Sequence, residues 1–269
     1  MYKLFCILST GRSGTSLLSN IASSINFNLS DYLVGKHPSN VKGHFEDLII
    51  MDRNEYFLKQ IGKTIWSTDK LSDIENQYFT SNFKPEIVKY LTDNLAVKKN
   101  FLIKEPRISK LFHLYKNIFS ELNSKNYYML LYRSPYLYVK STKKAYSDLD
   151  IDLRKGSKVW FLHNYNILSN ISENDNLYYL NFSDFIKDIP YYAKEISNFV
   201  EEFVIEDEFN NYYNQFYEKK MVSFSEDQPS GITYADEFFD FIQNIKRYNF
   251  QEFKNNLRKW NLEKILKEE

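Results

Sequence analysis

The chain has 269 residues, and its 35 Lys and Arg residues balance 35 Asp and Glu residues, so its formal net charge is zero. Apolar residues make up 43% of the chain and aromatic residues 17%, which favours a packed globular core over disorder. The balanced charge argues against the broad basic surface of a nucleic-acid-binding protein, although a small basic site for a polyanionic molecule needs only a few cations.

The N-terminus does not resemble a secretion signal. Its apolar run spans only about six residues before polar residues follow, and no stretch approaches the about 18 apolar residues of a membrane span. The single cysteine, Cys6, lies in that run and is predicted to be a buried strand residue. No Cys and His residues have zinc-site spacing, so no metal is expected. These features favour a cytoplasmic protein.

The hydrophobic pattern predicts strands and helices that alternate along the chain. A buried strand over 2–8 and a Ser/Thr/Gly loop precede a helix that begins near Thr15. Further strands are predicted over 101–103, 127–132 and 177–180, and helices over 47–61, 85–97, 109–122, 159–171 and 191–203. Such alternation predicts a three-layer α/β/α fold, P-loop-like at its start, with a central, mostly parallel sheet.

The pattern becomes helical and polar beyond residue 215, with a loop predicted over 227–231. No internal repeat and no low-complexity linker interrupts the sequence. We therefore expect one domain over 1–269, in which 206–269 form a mainly helical extension that packs on it. This aromatic-rich part could form an acceptor lid or a dimer surface, and packing on the flank of the sheet is the favoured interpretation.

The loop after the first strand has the composition of an anion-binding site, Ser9-Thr10-Gly11-Arg12-Ser13-Gly14-Thr15-Ser16. Gly11 and Gly14 allow a tight turn whose backbone N–H groups point at an anion near the start of a helix. Arg12 adds a positive charge, and Thr15 and Ser16 add hydroxyl donors. The nucleoside-triphosphatase spacing G-x-x-x-x-G-K-S/T is absent, and an ordinary glycine turn is the alternative interpretation.

A second anion site is predicted after the strand over 127–132. Arg133 leaves the end of that strand, Ser134 and Pro135 are suited to begin a helix, and Ser141 lies two turns along it. Arg133 and Ser141 could together hold one phosphate. Alternatively, Arg133 could form a surface ion pair, and the Ser141 hydroxyl could be solvated. Two anion sites that follow two strands predict a ligand with two separate anionic ends.

At this point the sequence resembles the sulfotransferase family. Gly11 to Ser16 are similar to that family's 5′-phosphosulfate loop, and Arg133 with Ser141 is similar to its 3′-phosphate motif. Landmarks similar to bacterial members occur in the same order over about residues 1–205: 42–47 (Lys-Gly-His-Phe-Glu-Asp), 104–107 (Lys-Glu-Pro-Arg), Trp160 with Tyr165 and Asn166, and 179–185 before Asp188 and Pro190. Glu105, where the family usually has Asp, and Asn181, where Tyr or Asp is common, depart from the pattern and affect the expected acceptor side.

The resemblance implies a sulfotransferase that uses 3′-phosphoadenosine 5′-phosphosulfate as donor and releases 3′-phosphoadenosine 5′-phosphate. It implies that the loop from Gly11 to Ser16 holds the 5′-phosphosulfate, and that Arg12 also stabilises the leaving phosphate. It also implies that Arg133 and Ser141 hold the 3′-phosphate. The acceptor implied by analogy with bacterial members is a small molecule or a carbohydrate, including glycolipids.

The acceptor hydroxyl needs a general base, for which Glu46 is the first candidate and His44 the second. Glu46 could instead be a carboxylate favoured at a helix N-terminus, and His44 a packed loop residue. Lys104, at the end of a strand, could bridge donor and acceptor or form a structural salt bridge. Arg107 could do the same, or pair with Glu105 or Glu46.

Two other functions remain open at this point. A P-loop kinase for a small molecule would need a loop lysine and an acidic Mg²⁺ ligand on a strand, and neither is convincingly placed in the sequence. A non-catalytic nucleotide-binding protein would keep the donor site without needing Glu46, His44 or Lys104. The sequence does not predict the oligomeric state.

Overall fold

The computed structural model describes residues 1–35, 44–218 and 227–267. Its central sheet has four strands, all parallel, in the order β2-β1-β3-β4. The strands are β1 (Tyr2–Leu8), β2 (Asn100–Lys104), β3 (Ser124–Tyr132) and β4 (Asn176–Asn181). Each contains one of the predicted apolar runs, and all four predicted strands are confirmed.

Fourteen helices occur in the described ranges, together with one 3₁₀ turn (Ile245–Arg247). The first seven are α1 (Thr15–Ser23), α2 (Leu48–Gln60), α3 (Asp73–Asn82), α4 (Lys84–Lys98), α5 (Pro106–Lys110), α6 (Phe112–Glu121) and α7 (Pro135–Ala145). The others are α8 (Leu153–Asn170), α9 (Phe182–Phe185), α10 (Ile189–Phe199), α11 (Glu206–Glu218), α12 (Thr233–Asn244), α13 (Phe250–Arg258) and α14 (Leu262–Lys267).

Both faces of the sheet are covered, so the strands are continuous apolar runs rather than alternating ones. Successive side chains of β1 enter different cores, because neighbouring residues of a strand point to opposite faces. Phe5 and Ile7 pack with apolar residues of α1 and α10, whereas Leu4 and Cys6 pack with those of α4, α6 and α8. The expected α/β/α layering and the burial of Cys6 are therefore confirmed.

The strand order places the carboxyl ends of β1 and β3 side by side, where a crevice for a ligand is expected. These two strands are neighbours, with Leu8 paired in register with Leu130. The helix after β1 packs on one face of the sheet, and the helices after β3 pack on the other. Ligands of open α/β sheets bind where connections diverge in this way. The two predicted anion sites follow these two strands, so the fold brings them to one place.

Several helix bounds differ from the prediction. The helix predicted over 109–122 is two helices, because Leu111 (φ −103°, ψ 18°) leaves the helical conformation between α5 and α6. The helix predicted over 191–203 ends earlier, just before a turn in which Glu201 has φ 55°. The helix predicted from 159 begins six residues sooner, because Asp152 caps it by accepting a hydrogen bond from the Lys155 N–H at 2.7 Å. Helix α3 was not predicted.

The helices beyond residue 205 pack on the sheet's flanking layers. Helix α11 contacts α1, and α12 and α13 contact α8. The loop before α12 was predicted from the sequence. Asp236 anchors it, because its carboxylate accepts hydrogen bonds from the N–H groups of Ser230 and Gly231 at 2.7 and 2.9 Å. The division of the chain into one domain stays a prediction. No helix in the described ranges combines the length and the hydropathy that crossing a bilayer demands.

Candidate functional site

The loop between β1 and α1 has an unusual backbone. Gly11, Arg12 and Gly14 have φ values of 79°, 50° and 86°, in the left-handed region that glycine adopts most readily. Gly14 is the N-cap of α1, and no side chain in the described part of the chain caps this helix end. A Cβ atom on Gly14 would lie 2.0 Å from Cε2 of Phe182, so this position has no room for a side chain. The loop thus has the geometry of an anion-binding turn at a helix N-terminus.

The hydroxyl groups of the loop stabilise its shape. Ser13 is fully buried, and its Oγ donates to the carbonyl of Gly11 at 3.0 Å. Ser16 Oγ donates to the carbonyl of His44 at 3.3 Å and so ties the loop to the segment that contains the candidate bases. Thr15 is buried at the first position of α1. The predicted anion-binding roles of these hydroxyls remain predictions.

The second predicted anion site lies beside the first. Ser134 caps α7 as expected, and Pro135 is its first residue. Arg133 Nη1 donates to the Arg12 carbonyl at 3.3 Å, and Arg12 Nε donates to Ser141 Oγ at 3.4 Å. Arg12, Arg133 and Ser141 therefore form one cluster at the carboxyl ends of β1 and β3. Their roles toward a ligand stay predictions.

Arg133 is a buried cation with unused hydrogen-bonding capacity. Its residue is 9% exposed, and its Nε has no hydrogen-bond partner among the described residues. The guanidinium carbon lies 5.0 Å from the centre of the Phe182 ring, a cation–π contact. Burial lowers the Arg133 pKa; Asp227 acts against this shift, and Arg12 adds to it. A buried guanidinium of this kind favours binding of an anion, because the anion supplies both charge and acceptors.

The candidate bases surround Lys104, which is 3% exposed at the end of β2. Lys104 Nζ donates to Glu46 Oε1 and to the His44 carbonyl, both at 2.8 Å. Between these acceptors, Phe45 has φ 54°, which bends the backbone around the ammonium group. His44 Nδ1 lies 3.8 Å from the same Glu46 oxygen. Of the two interpretations of Lys104, the structure shows the salt bridge; a bridging role stays a prediction.

Glu46 is held in its charged form. Burial acts to raise the Glu46 pKa, but the charge and hydrogen bond of Lys104, together with the nearby charges of His44 and Arg107, outweigh burial and lower it. A carboxylate with a lowered pKa accepts a proton less readily than an unperturbed one. The predicted Lys42 and Gly43 of the same segment lie outside the described residues.

Arg107 belongs to a neighbouring network of hydrogen bonds and ion pairs, which interacts with Glu46 through charge only. Its Nη1 donates to Glu105 Oε1 at 2.5 Å, and it also pairs with Glu55. Asn54 Nδ2 donates to the other Glu105 oxygen at 2.8 Å. Burial raises the Glu105 pKa, the Arg107 charge opposes this shift, and Glu46 adds to it. Of the partners considered from sequence, Arg107 therefore pairs with Glu105 and not with Glu46. Glu105, the departure from the family pattern, is a structural residue that is 0% exposed.

Sequence reasoning missed three side chains around the site. Phe182, directly after β4, contacts both Gly14 and Arg133; its place after a strand end was a usable signal. Tyr146, at the end of α7, makes an edge-to-face contact with Trp66 at 5.7 Å, and burial raises its pKa while the charges of Arg12 and Glu46 also act on it. Asp227 accepts a hydrogen bond from the N–H of Ser134, next to Arg133, and no local sequence pattern predicts this contact. No group of three or more His, Cys, Asp or Glu side chains in the described ranges could hold a metal ion.

Comparisons with known proteins identify the fold. No family model and no curated protein matches the sequence. Among solved structures, the sulfotransferase domain of the olefin synthase of Synechococcus PCC 7002 is similar, with a TM-score of 0.50, 16% identity, and coverage of 88% of this chain and 94% of that one. The sulfotransferase domain of the curacin biosynthetic pathway is aligned with a TM-score of 0.48, 14% identity, and coverage of 96% and 97%. The chain has a sulfotransferase fold.

Proposed function

We propose that the protein transfers a sulfuryl group from 3′-phosphoadenosine 5′-phosphosulfate to an acceptor hydroxyl. The observation that carries this proposal is the cluster of Arg12, Arg133 and Ser141 at the crevice between β1 and β3. It joins a glycine loop at a helix N-terminus to a buried guanidinium, within a fold shared with a sulfotransferase domain. Two adjacent anion sites suit a donor with a phosphosulfate at one end and a phosphate at the other.

Each end of the donor has its own set of groups in this proposal. The backbone N–H groups of residues 13–16 and the Arg12 side chain bind the 5′-phosphosulfate. Arg133 and Ser141 bind the 3′-phosphate, and this contact favours the bisphosphorylated donor over adenosine 5′-phosphosulfate. The Phe182 ring fixes the guanidinium plane of Arg133. Arg133 thereby presents its donors without losing much conformational freedom on binding.

The reaction is an in-line displacement at sulfur. The acceptor oxygen forms a bond to sulfur while the bond from sulfur to the bridging oxygen of the 5′-phosphate breaks, and 3′-phosphoadenosine 5′-phosphate leaves with that electron pair. Negative charge therefore grows on the bridging oxygen. Arg12 and the loop N–H groups stabilise this charge because they are already oriented toward it.

The acceptor proton passes to the His44–Glu46 pair. Glu46 carries its negative charge and is bound by Lys104, so it is a weak base by itself. His44 Nδ1 lies 3.8 Å from Glu46, whose charge would stabilise the imidazolium formed when the ring accepts a proton. We therefore assign proton removal to His44 and orientation and charge stabilisation to Glu46, with Lys104 fixing Glu46 in place.

The acceptor is proposed to be a hydroxyl of a carbohydrate or a similar small molecule. The half-buried aromatic pair of Trp66 and Tyr146 adjoins the site, since the charges of Arg12 and Glu46 act on Tyr146. Aromatic faces with a polar edge suit ligands that present both apolar C–H groups and hydroxyls.

The donor assignment is tested by calorimetry with 3′-phosphoadenosine 5′-phosphate. We expect Arg12→Ala to weaken binding at least about tenfold and Arg133→Ala at least about 100-fold. Replacing Arg53, an arginine on the exposed surface of α2, by Ala should leave binding unchanged. Unaltered binding in both site variants would overturn the assignment. Binding of ATP that requires Mg²⁺ would instead favour the kinase alternative, and tight bisphosphate binding without labelled-sulfate transfer to any acceptor in a carbohydrate screen would favour the non-catalytic one.

A further inference from the structure

A carboxylate from the C-terminal part of the chain reaches the second anion site. Asp227 Oδ1 accepts a hydrogen bond from the backbone N–H of Ser134 at 3.2 Å, across 93 residues of sequence. Ser134 directly follows Arg133 and is the N-cap of α7, so this N–H is one of the donors at the positive end of a helix. A bound phosphate would use the same kind of donor.

The surroundings of Arg133 indicate what this carboxylate does there. Arg133 is 9% exposed, and its Nε has no partner among the described residues. Asp227 supplies negative charge near this guanidinium, and Arg12 supplies positive charge. The carboxylate therefore supplies part of the compensating charge that the buried cation lacks, and its oxygen accepts a hydrogen bond from the N-terminus of α7 rather than from Arg133 itself.

We propose that Asp227 is an internal anion that competes with the donor's 3′-phosphate for the site formed by Arg133 and the N-terminus of α7. The inference rests on the proposed donor site. A phosphate that binds Arg133 must either displace the carboxylate or share the site with a like charge, and both weaken binding. Asp227 thus sets how tightly a bisphosphorylated nucleotide is held, and it favours release of 3′-phosphoadenosine 5′-phosphate after transfer.

The contacts of the local backbone indicate a low free-energy cost for displacing the Asp227 carboxylate from Ser134. Within the described residues from 227 onward, Asp236 holds the chain at Ser230 and Gly231, through their N–H groups. Asp227 lies three residues before that anchor, and its bond to Ser134 N at 3.2 Å is long for a charge-assisted hydrogen bond. The carboxylate can leave Ser134 while α12 stays in place.

The test measures nucleotide affinity after the carboxylate is neutralised. Asp227→Asn keeps the shape and one acceptor oxygen but removes the charge. We expect calorimetry to show about tenfold tighter binding of 3′-phosphoadenosine 5′-phosphate and a change below twofold for adenosine 5′-monophosphate, which lacks the 3′-phosphate. Asp240→Asn, which neutralises an exposed carboxylate of α12, is the matched control and should change neither affinity.

A double-mutant cycle separates competition from a positioning role. If Asp227 competes at Arg133, the gain from Asp227→Asn disappears in an Arg133→Ala background. Unchanged or weaker bisphosphate binding by Asp227→Asn, with the parent binding normally, would overturn the inference and leave the proposed function intact.

A second probe decides the matter if the parent and the variant both fail to bind the nucleotide, which would count against the proposed donor. Inorganic phosphate would then be titrated while the thermal unfolding midpoint is followed. A larger upward shift for Asp227→Asn than for the parent supports an internal anion at this site. Equal shifts, including none, overturn it.

Discussion

Replacing Arg133 by Met should strengthen the fold while it removes donor binding. The guanidinium is buried with a lowered pKa, and among the residues that the structure describes Asp227 compensates only part of its charge. Burying a charge costs several kcal/mol even after relaxation, whereas the cation–π contact and one long hydrogen bond return only about 1 kcal/mol each. We expect Arg133→Met to raise the free energy of unfolding by about 1 kcal/mol, or the melting temperature by about 2 °C.

The effect on binding has the opposite sign and is larger. Hydrogen bonds to a charged group contribute about 1.5–3 kcal/mol each, so losing the Arg133 contacts should weaken 3′-phosphoadenosine 5′-phosphate binding at least about 100-fold. Urea unfolding of the unliganded protein and calorimetry with the nucleotide measure the two quantities on the same samples. Arg133→Met that unfolds at lower urea than the parent would refute the argument that this cation is undercompensated.

Arg107 provides the matched control for this argument. It is also mostly buried, with 12% of its side chain exposed, but it is paired with Glu105 and Glu55. Arg107→Met would leave Glu105 buried without its cationic partner, which typically costs about 3–5 kcal/mol. The two arginines, replaced by the same residue, should therefore change the free energy of unfolding in opposite directions.

Three further predictions follow from the same site. Gly14→Ala should lower the free energy of unfolding by about 3 kcal/mol, because the residue has a left-handed φ and its new Cβ overlaps Phe182. Gly11 has a similar φ, but its nearest atom would lie 3.5 Å from the new Cβ, so Gly11→Ala should lower it by only about 1 kcal/mol. Urea unfolding measures both changes. Glu46 has a lowered pKa, so its contribution to stability is present above its ordinary pKa of 4.5 and is lost as the pH falls through the lower folded value. Glu46→Gln should therefore reduce the fall of the free energy of unfolding at acid pH. Parallel pH profiles of parent and variant would contradict a lowered Glu46 pKa. His44→Gln should slow labelled-sulfate transfer at least about 100-fold and leave nucleotide affinity unchanged, and an unaffected rate would remove His44 as the base.

The parts of the site that sequence predicted are those encoded within a few residues of a strand end. The glycine loop after β1 and the Arg133-Ser134-Pro135 start of α7 each combine a short apolar run with residues whose turn and capping preferences are strong. Their place at the same edge of the sheet followed from the parallel topology, because the carboxyl ends of parallel strands share one edge. The capping pair of Ser72 and Glu75 was an equally clear signal for the start of α3. The helix was missed because its hydrophobic pattern is weak.

What sequence could not predict depends on contacts between distant parts of the chain. Asp227 lies 93 residues from its partner Ser134, and no local preference links them. The order β2-β1-β3-β4, which makes β1 and β3 neighbours, is likewise a property of packing rather than of any one strand. The pairing of Arg107 with Glu55 depends on how α2 packs against α5.

The distribution of charge at the candidate site bears on how the proposed donor binding and the proposed proton transfer are kept apart. Lys104 forms a salt bridge with Glu46, so this pair contributes little net charge. It serves mainly to fix the orientation of the segment that contains His44 and Glu46. Arg12, within the glycine loop, and Arg133, after β3, form the second group of charges, for which Asp227 provides partial compensation at Arg133. In the proposed reaction, a polyanionic donor therefore gains most from Arg12 and Arg133, while the acceptor hydroxyl meets a region near neutrality. In such a site, the positive charge that holds the donor does not suppress proton acceptance by His44, since Glu46 stands 3.8 Å from that ring.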